Sequence, residues 1–114
     1  MNAFEMTLLF DYYGDLLTQR QRMCFDLRYN QDMSLAEIAE ELQVSRQGVY
    51  DNLSRAEALL KNMEEKTGCV GRDLLHRKAA DSILKDAEEL LKHPDVQVKE
   101  TAQRIYAALR ELKE

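Results

Sequence analysis

From Ser34 to Ala56 the hydrophobic and polar positions follow a pattern that predicts two short helices joined by a tight turn. Leu35, Ile38, Ala39 and Leu42 recur at helical spacing and make one apolar face. Ser34 is a good N-cap, and Glu37 stands three residues on, the spacing of a capping box. Three residues past Leu42, Ser45 can cap a second helix, whose buried stripe is Val49, Leu53, Ala56 and Leu60. Ala39 offers the small residue that two steeply crossed helices need where their backbones approach. Between the apolar positions of the second helix lie Arg46, Gln47, Tyr50, Asp51, Asn52, Ser54 and Arg55. This is the pattern of a helix-turn-helix, in which the second helix presents its N-terminal side chains to a major groove. Two packed helices of an ordinary bundle would share the stripe, but they explain less well the short turn and the Arg-Gln pair that follows it.

The pattern continues on both sides. Phe4 to Leu17 is apolar nearly all round, so it predicts a helix buried on more than one face, against a second subunit or the C-terminal helices. Thr18 caps a helix from Gln19 to about Tyr29, with Met23, Cys24 and Leu27 inward, and Asn30-Gln31-Asp32 is a polar break. The second helix of the motif runs on through Leu59, Leu60 and Met63 to a stop at Gly68, with Gly71 as a further break. From Arg72 the stripe Leu75, Ala79, Ala80, Ile83, Ala87, Leu90 and Leu91 predicts one helix, ended by His93-Pro94. Asp95 then caps a last helix in which Val98, Ala102, Ile105, Leu109 and Leu112 keep the spacing of a short coiled-coil seam. That seam packs either in a helical hairpin or on a second subunit. The expected fold is all-α: a helix-turn-helix domain over 1–69 and a C-terminal helical extension over 70–114.

Composition agrees with this picture and adds one conflict. The 114 residues are 45% hydrophobic and 32% charged, with four glycines and one proline, as in a nearly all-helical globular protein. No apolar run is long enough to span a membrane and no leader pattern precedes the first helix, so a cytoplasmic protein is expected. Cys24 and Cys69 stand alone, which fits reduced thiols. His76 and His93 lack acidic or cysteine partners at metal-ligand spacing, and neither a phosphate loop nor a nucleophile motif is present, so a binding module without metal or cofactor is expected rather than an enzyme. The conflict is the net charge of −5. Residues 34–62 carry Glu37, Glu40, Glu41, Asp51 and Glu57 against Arg46, Arg55 and Lys61, whereas domains that hold nucleic acid are usually basic.

Leu17 to Leu60 resembles region 4 of bacterial sigma factors, the domain that reads a promoter element. The resemblance is carried by LTQRQR at 17–22, LRY at 27–29, SLAEIAEEL at 34–42, VSR at 44–46, and the spaced Val49, Leu53 and Arg55. LFDYYGDLLTQRQR, SLAEIAEELQVSRQGVYDNLSRAEALL and EEKTG further resemble the YlxM family of small bacterial proteins, strongly over 8–69 and loosely beyond. That resemblance implies a DNA-binding regulator. Because such genes commonly neighbour that of the signal recognition particle GTPase, it also implies a place in that targeting pathway. The partner is then DNA or, for an adaptor that keeps the motif as a scaffold, the particle's protein or RNA. The sigma pattern places Ser45, Arg46, Gln47, Tyr50, Asp51 and Ser54 toward the groove, with Arg55 near phosphate. Two positions depart from it: Gln43 stands where many such motifs have a left-handed glycine, and Gly48 sits inside the second helix. A homodimer is expected from the apolar first helix and the seam on the last.

Overall fold

Asn2 starts the first helix: its side-chain oxygen accepts from the Glu5 N–H at 2.8 Å, and α1 runs Ala3–Tyr13. This is a computed structural model, and it describes residues 2–113. Met6, Leu9 and Tyr13 are buried, followed by Leu17 beyond a single 3-10 turn at Gly14–Leu16. Phe4, Tyr12 and Leu16 remain exposed while Leu8 and Phe10 are half-buried against the core, and α1 ends four residues short of the expected Leu17. A Cβ at Gly14 would lie 3.2 Å from the Phe10 ring, so the missing side chain gives that ring its place. Phe10 stacks on Phe25 with centroids 4.5 Å apart, and Phe25 on Tyr29 at 4.3 Å.

The α2 helix, Gln19–Phe25, opens with a capping box: the Thr18 hydroxyl accepts from the Gln21 N–H, and the Gln21 side chain accepts from the Thr18 N–H. It widens into one π turn, Asp26–Asn30. Cys24 is inward as expected, but Met23 is 39% exposed and the second inward position belongs to Phe25, which is fully buried. An aromatic ring removes more apolar area from water than a thioether chain does, and the three-ring stack places it centrally.

The α3 helix, Leu35–Leu42, is opened by the Ser34–Glu37 capping box, with both bonds formed at 3.0–3.1 Å. Gln43 then turns left-handed at φ 56° and ψ 48°. The Val44 N–H returns to the Ala39 carbonyl at 3.0 Å and the Gln43 N–H to the Glu40 carbonyl at 3.3 Å, the paired bonds of a Schellman motif. Ser45 accepts from the Gly48 N–H at 3.0 Å and starts α4, Arg46–Thr67, which buries Val49, Leu53, Ala56 and Leu60. Gly68 ends α4 in the left-handed region at φ 64°. Ile38 and Ala39 of α3 join these side chains in one core with Met6, Leu9, Tyr13, Leu17, Cys24 and Phe25.

These elements form one unit, Met1–Val70; Gly71–Glu114 forms a second. The α5 helix, Cys69–Leu90, passes through Gly71 without the expected break, because the left-handed residue between the helices is Gly68 and a glycine can remain helical. After a short link, Asp95 caps α6, Val96–Lys113, by accepting from the Gln97 N–H at 2.8 Å. Leu84 and Ala87 of α5 and Ala102 of α6 are buried in this part of the chain. Of the expected inward stripe, Leu75, Ile83 and Leu90 are instead exposed, at 69%, 47% and 44%. Among the described residues there is no strand, and no helix is long and apolar enough to cross a membrane.

Candidate nucleic-acid interface

The turn between α3 and α4 sets the site. Three residues, Gln43 to Ser45, carry the chain from one helix to the next, and Ala39, the small residue at the crossing, is buried beneath them. With Val49, Leu53, Ala56 and Leu60 inward, helical geometry turns Gln47, Asp51, Ser54 and Ala58 to the opposite side. Tyr50 and Arg55 flank that line, and Arg46 occupies the first helical position. Ser45, Arg46, Gln47, Tyr50, Asp51 and Arg55 are exposed and Ser54 is half-buried; Gln47, Asp51 and Ser54 lie opposite the buried stripe, Tyr50 and Arg55 beside them, and Ser45 and Arg46 at the N-terminal end of the helix.

Their chemistry is not uniform. Ser45 already uses one lone pair of its oxygen to cap the helix and keeps its O–H and one lone pair to offer. Gln47 donates to Asp51 at 3.0 Å, which shortens its reach until a partner breaks that bond. Asn52 donates to the Gly48 carbonyl at 2.9 Å, which holds its amide along the helix. A Cβ at Gly48 would come within 3.2 Å of the Ser45 oxygen, so the glycine inside the helix protects the cap. Arg46 and Arg55 have no ion-pair partner among the described residues, and about 13 Å of helix rise separates them.

Two contacts that sequence spacing does not reveal hold α4 from behind. The Tyr29 phenol donates to Glu57 at 2.6 Å, and the Tyr13 phenol donates to Glu64 at 2.7 Å. Tyr13 also shares a hydrogen bond with Thr67, and Glu64 accepts from the Val70 N–H at 3.1 Å. Burial, then the Glu57 carboxylate beside it, pushes the Tyr29 phenol up to about 12; burial is also the main cause raising Tyr13. The partners lie 28 and 51 residues apart, so no local pattern could have paired them.

The electrostatic setting is acidic. Residues 1–70 hold twelve carboxylates against seven lysines and arginines, whereas 71–114 hold nine of each, so the whole negative excess belongs to the unit with the helix-turn-helix. Glu37, Glu40 and Glu41 line a shallow cleft on α3 with Met33. Among the described residues no group of histidine, cysteine, aspartate and glutamate side chains could hold a metal ion.

Residues 1–105 match the model of the family described as "Putative helix-turn-helix protein, YlxM / p13 like", UPF0122. A UPF0122 protein of Acetivibrio thermocellus is 51% identical over 88 residues, covering 77% of this chain and 75% of the relative. One from Thermoanaerobacter sp. is 52% identical over 83 residues, covering 73% and 71%. One from Bacillus cereus strain AH187 is 59% identical over 61 residues, covering 54% and 56%. A capped helix pair, a tight left-handed turn and a family match over most of the chain agree, and the protein belongs to the UPF0122 family of YlxM / p13 like proteins.

Proposed function

We propose that this protein is a cytoplasmic, non-enzymatic DNA-binding regulator that lays the N-terminal half of α4 in a major groove. The observation that carries the reading is the outward face of α4, where Arg46, Gln47, Tyr50, Asp51, Ser54 and Arg55 follow the capped turn with no other element of the motif covering them. In this reading the unit works as sigma region 4 does: Arg46 and Gln47 reach base edges and Arg55 touches phosphate. A homodimer would supply two such helices and double the few phosphate contacts an acidic unit can make.

A second reading has its own support. The negative excess confined to residues 1–70 suits an adaptor that uses the motif as a scaffold and meets the protein or RNA of the signal recognition particle. A titration of the full chain against a random duplex pool, that RNA and that protein separates the two. Selection of a sequence from the pool at ~50 mM salt, where phosphate attraction is still strong, supports DNA reading. Failure to select any sequence, with binding to the particle's protein or RNA, overturns it in favour of the adaptor.

A further inference from the structure

Five residues on the outward side of α5 form a stripe: Arg72, Leu75, Ala79, Ile83 and Asp86, all exposed. Their intervals are three, four, four and three, so the spacing is palindromic about Ala79. Antiparallel packing on a second copy, around a two-fold axis at Ala79, sets Leu75 against the copy's Ile83 and Arg72 against its Asp86. At the crossing point methyl meets methyl, which lets two helix axes approach to about 8 Å. We infer that this face of α5 is the self-association surface of the protein, and that its occupant is a second copy in antiparallel orientation. The inference rests on the homodimer reading given above.

Three observations support that choice of occupant. Leu75 and Ile83 are 69% and 47% exposed, so one chain leaves in water apolar area that the symmetric pairing would cover. The charges at the two ends of the stripe are opposite and exchange places under the two-fold, as an isologous contact requires. The second unit carries nine charges of each sign, so two copies of it meet with no net charge between them.

Cross-linking and charge reversal on the full chain test the surface. In a Cys69→Ser background, where Cys24 is buried, Ala79→Cys places two thiols at the axis, within disulfide reach under a mild oxidant. Lys85→Cys is the control, since its two copies would stand about 18 Å apart along the helices. The expected result is a covalent dimer from the first variant and none from the second. Arg72→Glu and Asp86→Arg should each weaken self-association by about tenfold, and together restore it to within about threefold. Within one chain the two positions are about 21 Å apart along α5, so rescue can arise only between copies. Sedimentation showing a monomer throughout the micromolar range overturns both the homodimer reading and this surface. A dimer that ignores both charge reversals and cross-links at 79 no better than at 85 leaves the homodimer reading standing and overturns the surface.

Discussion

Tyr29 shows how one side chain ties stability to pH. Its phenol is held at about 12, above the ordinary 10, so it is protonated in both folded and unfolded chains below pH 10 and its contribution is fully present there. Between pH 10 and about 12 the unfolded chain releases the proton while the folded chain retains it, so stability falls as pH rises. Melting temperature should therefore drop through that window, and Tyr29→Phe should make the drop shallower while costing about 1 kcal/mol at neutral pH for the lost bond to Glu57. Glu37 acts in the other direction. The Ser34 hydrogen bonds hold its carboxyl below the usual range, so its share of stability is lost as pH falls past 4.5. On the outward face, Arg46→Ala should relax the base preference of DNA binding, since a bidentate contact to guanine discriminates by ~1–3 kcal/mol. Arg55→Ala should lower affinity evenly across sequences. Selection from a random pool with each variant distinguishes these outcomes.

At the scale of elements, the left-handed Gln43 is the costly residue of the motif. A non-glycine there is disfavoured by about 1 kcal/mol, so Gln43→Gly should raise the melting temperature without altering the turn. Leu53→Asp should do the opposite and abolish cooperative unfolding, because an unpaired buried charge costs several kcal/mol; loss of the helical circular dichroism signal would report it. The capped helix ends were legible in the sequence because caps are local: Ser34 with Glu37, Thr18, Ser45, Gly68 and Asp95 all act within a turn of their own position, whereas the end of α1 and the helical Gly71 were not. Which stripe of a helix is covered was less legible, since that depends on distant elements. Phe25 rather than Met23 faces inward because Phe10 and Tyr29 flank it, and Leu84 rather than Leu75 is buried on α5. The buried stripe of α4, Val49, Leu53, Ala56 and Leu60, was legible because its spacing is local to one helix, and the exposure of Gln47, Asp51 and Arg55 follows from it.

For the whole molecule, electrostatics and geometry pull against each other. The helix-turn-helix of one chain carries three bases, Arg46, Arg55 and Lys61, so the logarithm of DNA affinity should fall with that of salt with a slope no steeper than about −3 per chain. Glu40→Gln with Glu41→Gln should raise affinity for every duplex alike, measurable in the same titration. The two phenol–carboxylate bonds behind α4 have a further consequence. Glu57 and Glu64 are seven residues apart, two turns or about 10 Å of rise, on one flank of the helix. The buried stripe of Val49, Leu53, Ala56 and Leu60 packs the helix, and the two bonds add polar fixings along one flank of it. The side to which Gln47 and Arg55 face is thus set from the far side of the helix, by the core and two part-buried phenols together. If α4 reads DNA as proposed, Tyr13→Phe and Tyr29→Phe should each loosen the bond behind the helix and lower sequence preference more than overall affinity, measurable by selection from a random pool.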